Sequence, residues 1–166
     1  MKKIIISILM IFCFTLYIPS VSANSISVSK QTNTEQKNIE LIKSMMNNMY
    51  DVWASSSGSN GLFDKIFAKN FVYIGNGTTE HYEHFKKHFI ANYKNWKSVK
   101  IKIYDIFAHG NKVVLRAFIV GVTNNGAKYE LDFIDIFKIE NGKIVIWWEE
   151  SYPDWREIIK KQGEKY

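Results

Sequence analysis

Four apolar runs in the C-terminal half of the chain are separated by Gly110-Asn111, Asn125-Gly126 and Asn141-Gly142. Each dipeptide is a turn former between segments of high strand propensity, so the region predicts an antiparallel meander of three hairpins with two-residue loops. Side chains alternate along a strand, so fixing the loops fixes which residues share a face. Closing the middle hairpin at Asn125-Gly126 pairs Arg116 with Asp135, Phe118 with Phe133 and Val120 with Leu131. Closing the first at Gly110-Asn111 pairs Asp105 with Arg116 and Ile103 with Phe118. Closing the last pairs Phe137 with Ile146 and Asp135 with Trp148. This register predicts a face that is apolar except for one row: Asp105, Arg116 and Asp135. Burying unpaired charge is costly, so the row must neutralise itself, line a wet cavity, or both.

The N-terminus reads differently. Lys2-Lys3, the apolar run Ile4–Ile18 and Val21-Ser22-Ala23 have the pattern of a secretory signal peptide over residues 1–23, cleaved near Ala23. The expectation is export, to a periplasm or the medium, with no stable membrane anchor, because the run is too short and wrongly flanked to span a bilayer. The single cysteine, Cys13, leaves with that segment, so the mature fold has no disulfide to lean on. About 143 residues remain, enough for one domain with a real core. They carry 20 basic and 16 acidic residues. The lysines are scattered rather than interleaved with aromatics in a stripe, which argues for a solvated surface and against nucleic-acid binding.

Residues 24–34 are polar and read as a disordered leader, 35–152 as the domain, and 153–166 as a tail with a short helix carrying Trp155, Ile158 and Ile159. From Glu35 to about Ser55, Ile39, Ile42, Met46, Met49 and Trp53 recur at helical spacing. A short helix over Leu62–Phe67, a strand over Phe71–Ile74 and a helix over roughly Glu80–Trp96 precede the meander. The fold class is therefore α+β: a curved antiparallel sheet wrapped around N-terminal helices as a cone with an apolar interior.

Two stretches carry a family resemblance. Leu62-Phe63-Asp64-Lys65-Ile66-Phe67-Ala68 running into Phe71-Val72-Tyr73-Ile74 resembles the nuclear transport factor two superfamily. Asp135-Ile136-Phe137-Lys138-Ile139-Glu140-Asn141-Gly142-Lys143-Ile144-Val145, continuing through Trp148-Glu149, is similar to its SnoaL-type members. The resemblance spans about 38–152 and implies the cone fold. It leaves activity open, because that superfamily holds isomerases, dehydratases, cyclases, epoxide hydrolases and non-catalytic binders.

The charged row is the leading site. A guanidinium between two carboxylates can orient both, and the net charge of −1 lets one act as general base, Asp135 or Asp105, with Arg116 as clamp. Such a grouping resembles what limonene epoxide hydrolase-like members use, in chemistry though not in strand placement. A structural salt bridge tying three strands together is the competing reading. The hairpin register puts Glu150 on the Asp135 face and Glu149 on the other. The family resemblance instead points Trp148-Glu149 at the pocket, and a β-bulge would reconcile the two.

Ketosteroid isomerase-like members use a first-helix tyrosine, for which Tyr50 is the nearest counterpart. Their general-base Asp has no equivalent in Ile74-Gly75-Asn76-Gly77. Tyr50 is thus a candidate hydrogen-bond donor, and Trp53, His88, Phe118, Phe133 and Trp148 are candidate pocket walls. His81, His84 and His88 share one side of a helix. His84 and His88 have chelating spacing, but no acid or cysteine stands at a matching interval, so no metal is expected. No phosphate-cradling loop or nucleophile elbow is present, so no cofactor is expected either. The opposite sheet face, with Leu115, Ala117, Ile119, Ile134, Ile136, Val145 and Trp147 rimmed by lysines, reads as a homodimer surface. The sequence thus points to an exported domain acting on a small hydrophobic molecule as a cofactor-independent lyase, isomerase or epoxide hydrolase. The alternative is a non-catalytic ligand-binding or dimerisation module.

Overall fold

The computed structural model describes residues 31–49, 51, 61–93, 95–154 and 157. The predicted signal peptide, Tyr50, Trp53 and the apolar residues of the tail helix lie outside them. Helix α1 (Asn33–Asn47) begins inside the predicted leader, because Thr32 and Glu35 form a reciprocal capping box that supplies its N-terminus. The Glu35 carboxylate also accepts a hydrogen bond of 2.7 Å from the Gly110 amide, tying α1 to a strand turn. Ile39, Ile42, Met45 and Met46 of α1 are buried. Helix α2 (Leu62–Ile66) leads into β1 (Phe67–Gly75), then β2 (Thr78–His81), α3 (Tyr82–Tyr93), β3 (Trp96–His109), β4 (Lys112–Thr123), β5 (Lys128–Glu140) and β6 (Lys143–Tyr152).

The six strands make one sheet in the order β2-β1-β6-β5-β4-β3. The four-strand meander is as predicted. The sheet as a whole is mixed, however, since β1 lies parallel to β6. The helix expected from about Glu80 begins instead at Tyr82, after strand β2. In fact Asn76 and Gly77 both have positive φ and close a two-residue hairpin pairing Gly75 with Thr78, which draws Glu80 and His81 into the sheet.

Three local features then reset the register. Asn141 and Gly142, at φ 51° and 72°, form the two-residue turn expected of them. At the middle hairpin only Gly126 has positive φ, 88°. The Asn125 side chain instead accepts hydrogen bonds from the Ala127 amide and the Thr123 hydroxyl, and the Thr123 amide bonds the Ala127 carbonyl. The loop is therefore three residues long, 124–126, ending in a left-handed glycine. That extra residue pairs Leu115, not Arg116, with Asp135. Bulges between Ile103 and Asp105 and between Lys138 and Ile139 shift β3 and β6 by one residue as well. Each slip exchanges the two faces, and each bulge bends its strand.

The concave face consequently carries Val113, Leu115, Ala117, Phe133, Phe137, Ile144 and Trp147, all buried. Helices α2 and α3 add Phe63, Phe85 and Phe89. Phe67 lies between them and the sheet, stacked on Phe63 at 4.4 Å and parallel to Trp147 at 6.4 Å. Burying each such ring stabilises the fold by roughly 1.5–3 kcal/mol, so this aromatic cluster anchors the helical layer to the sheet.

Candidate functional site

The predicted charged row divides between the two faces. Asp105 and Arg116 do pair, with Arg116 Nε donating to Asp105 Oδ2 at 2.9 Å, but on the outer face, where their side chains are 63% and 54% exposed. Arg116 also lies over the Tyr104 ring, 4.8 Å from its centroid. The outer row continues through Ile134 to Glu150. Phe118 and Trp148 also stand on that side, half-buried, as the alternation from Arg116 and Ile136 requires. Three expectations are corrected here. Arg116 does not orient Asp135, Asp105 is a surface ion pair, and Glu150, Phe118 and Trp148 face away from the interior. The cause is the register: the three-residue loop and the bulge of β6 each move these residues by one.

The inner row runs instead from Leu115 on β4 through Asp135 on β5 and Glu149 on β6 to Gly75 on β1. Asp135 is completely buried, with Phe133 and Phe137 flanking it on the same face. Among the described residues neither carboxyl oxygen of Asp135 has a hydrogen-bond partner, and Trp147 Nε1 has none either. Burial pushes the Asp135 pKa well above the carboxylate range. The charge of Glu149 pushes it further, and the Trp147 indole, near but outside hydrogen-bonding geometry, pulls weakly the other way. An unpaired carboxylate in such a place is prohibitive, so Asp135 is a neutral acid with a proton to donate.

Glu149 faces Asp135 directly as its cross-strand partner, so their Cβ atoms stand roughly 5 Å apart. Part of the Glu149 side chain reaches solvent, but its carboxyl is packed round by protein. Its pKa is pushed up to about 8, first by burial, then by the charges of Asp154 and Glu150, against a hydrogen bond from Tyr73 that lowers it. Tyr73 reaches Glu149 because Gly75 leaves room. A Cβ at Gly75 would sit 2.4 Å from the Tyr73 hydroxyl oxygen and 2.9 Å from the Glu149 carbonyl oxygen. A phenol, a carboxyl that titrates near neutrality and a carboxyl held protonated therefore stand together. Burial raises the pKa of both carboxyls, so the pair holds protons that acid–base chemistry can use.

Sequence reasoning missed Tyr73, which looked like an ordinary strand aromatic. Glu149 was kept only by the family resemblance, and the bulge that reconciles it with the register has no glycine to mark it. His88 does not join this group: its Nδ1 lies 3.2 and 3.1 Å from the two carboxylate oxygens of Glu80, at the β2 edge. Phe133 is buried on the inner face, beside Asp135.

A second polar group stands at the N-terminal half of α3. Asp64 accepts hydrogen bonds from the Tyr82 hydroxyl and, at 2.9 Å to both oxygens, from Lys86. The Tyr82 hydroxyl, then Lys86, lower the Asp64 pKa to about 2. Every member of this network is satisfied, which marks it as a clamp between α2 and α3.

The model of the SnoaL-like domain matches residues 47–147. No curated protein matches the sequence. Among solved structures, a suggested SnoaL-like polyketide cyclase from Jannaschia sp. CCS1 aligns with a TM-score of 0.62 at 13% identity, over 79% of this chain and 94% of that one. PrhC from Penicillium brasilianum aligns at 0.62 and 14% identity, over 78% and 89%. An M. tuberculosis LEH-like epoxide hydrolase aligns at 0.58 and 15% identity, over 78% and 87%. At these identities the likeness establishes the cone fold.

Proposed function

Because the chain belongs to the SnoaL-like domain family, we propose that it is an acid–base enzyme acting on a small, largely apolar molecule. Glu149 serves as the general base, Asp135 as the protonated partner, and Tyr73 as the hydrogen-bond donor that holds Glu149. The observation that carries this reading is the fully buried Asp135 carboxyl, unpartnered among the described residues and set opposite a Glu149 whose pKa is about 8. A neutral carboxylic acid can protonate a leaving or ring oxygen, while a carboxylate beside it takes a proton from carbon or from water. Cyclisation of a polyketide-type substrate, enolisation and epoxide opening all need that division of labour. The names of the cyclase and epoxide hydrolase neighbours agree with that range.

The base role thus passes from Asp135 to Glu149, since burial disfavours the ionised form of Asp135 and a protonated carboxyl does not act as a base. The densely filled aromatic interior favours one competing reading, a non-catalytic binder in which the acid pair fixes a ligand oxygen. The test is a panel of small epoxides and enolisable ketones assayed with the wild-type protein and with Glu149→Gln and Tyr73→Phe. The enzyme reading predicts turnover that rises with pH to a plateau above about 8. Glu149→Gln should lower it by roughly 10²–10⁴-fold while the circular dichroism spectrum is kept. Undiminished turnover in Glu149→Gln contradicts the assignment, and saturable binding without turnover moves the protein to the binder class.

Two further properties belong to the same proposal. The pattern of residues 1–23 supports export, and among the described residues no helix is long and apolar enough to cross a membrane. The outer sheet face supports a homodimer, though with other residues than the sequence implied. Leu115, Ala117 and Trp147 belong to the core, and the exposed apolar groups are Tyr104, Phe107, Ile134 and Ile136.

A further inference from the structure

Two histidines from one side of α3 converge on a buried acid. Glu80 lies on β2 opposite Tyr73 and therefore points to the concave side, under α3. It is only 6% exposed. One of its oxygens, Oε2, lies 3.2 Å from Nδ1 of His84 and 3.1 Å from Nδ1 of His88. The two rings are edge to face with centroids 4.3 Å apart. One donor atom from each of the three residues falls within 4.8 Å of the others.

These separations have a chemical meaning. Zinc binds histidine nitrogen and carboxylate oxygen at about 2.0–2.2 Å in a tetrahedron, whose edges are then about 3.3–3.5 Å. Two edges of the triangle in this chain, 3.1 and 3.2 Å, are already within a few tenths of that length. Two imidazoles and one carboxylate are also a ligand set that suits zinc and its first-row neighbours rather than calcium or magnesium. Both histidines keep access to solvent, 64% for the His84 side chain and 30% for His88, so an ion can enter and a water can take the fourth position.

We propose that Glu80, His84 and His88 form a binding site for one divalent transition-metal ion of the zinc type. The site clips β2 to α3 at the sheet edge. It stands two strands from Glu149, roughly 10 Å along the sheet, and takes no part in the acid pair. Filling it would replace two imidazole contacts to one carboxylate oxygen with a shared cation.

The experiment is calorimetric titration of the untagged protein with Zn²⁺, paired with cobalt(II) absorption as a report of four-coordinate geometry. The expected result is one equivalent bound, a cobalt spectrum of tetrahedral character and a melting temperature raised by zinc. His84→Ala, His88→Ala and the isosteric Glu80→Gln should each weaken binding by roughly a hundredfold or more, while His81→Ala and His109→Ala leave it unchanged. Since His84 is mostly exposed, His84→Ala keeps the test valid even if a change at Glu80 perturbs folding. Absence of zinc binding in the wild type, or equal binding by the His84→Ala/His88→Ala double variant, overturns the proposal and leaves the histidines as hydrogen-bonding partners of Glu80.

Discussion

At the scale of single residues, the inner carboxyl pair makes a stability prediction whose sign is fixed. Glu149 has an ordinary pKa of 4.5 and a folded value of about 8. Between those values the folded state holds a proton that the unfolded chain has released, so stability present at pH 4.5 declines as pH rises through 8. Urea melts across this window should show that decline, of order a few kcal/mol at most, and Glu149→Gln should flatten it. Asp135→Asn should flatten it further, since Asp135 is shifted in the same direction. Tyr73→Phe removes a hydrogen bond that lowers the Glu149 pKa and should raise it above its wild-type value, read by the same titration. Gly75→Ala should cost about 1–3 kcal/mol by forcing Tyr73 and the Glu149 backbone apart. Of these residues, the sequence marked Asp135 through the charged row of the predicted hairpin register, a row the structure divides between two faces, and Glu149 through the Trp148-Glu149 pair of the family resemblance. It did not mark Tyr73, whose role depends on a glycine two residues away.

At the scale of elements, the turn at 124–126 decides what faces what. Deleting Asn124 would leave a two-residue Asn-Gly loop between the same Thr123 and Ala127 pair, so Leu115 stays opposite Asp135 and the inner face is kept. The prediction is a cooperative urea transition that survives the deletion, whereas loss of that transition would show that the three-residue loop, not strand packing, holds the register. A milder change at another element is Thr32→Ala, which removes half the capping box of α1 and should cost about 1 kcal/mol in thermal or urea denaturation. The sequence disclosed strands β3 to β6 and their order because alternation and turn residues are strong local signals. It hid the three one-residue shifts because a loop stabilised by the Asn125 side chain and bulges at Tyr104 and Val145 leave no mark in apolar patterning. It hid β2 as well: four residues are too few to show a period. Glu80, four residues before His84 and eight before His88, stands at a matching interval that the expectation of no metal overlooked.

At the scale of the whole molecule, the outer sheet face is apolar and exposed among the described residues. Phe107 and Ile134 are 54% and 52% exposed, around the Arg116–Asp105 pair. A homodimer through this face predicts that Ile134→Lys or Phe107→Glu yields a monomer by analytical ultracentrifugation with an unchanged circular dichroism spectrum. A wild-type monomer at tens of micromolar would contradict it. On the proposal made above, the outer and inner faces divide the work, one holding the ion pair and the proposed association surface, the other the acid pair. The most direct test of that division is a carbon-13 NMR titration of the Glu149 side-chain carboxyl, assigned by comparison with Glu149→Gln. Its role as a base tuned by burial predicts a midpoint near 8, and a midpoint near the ordinary 4.5 would contradict it.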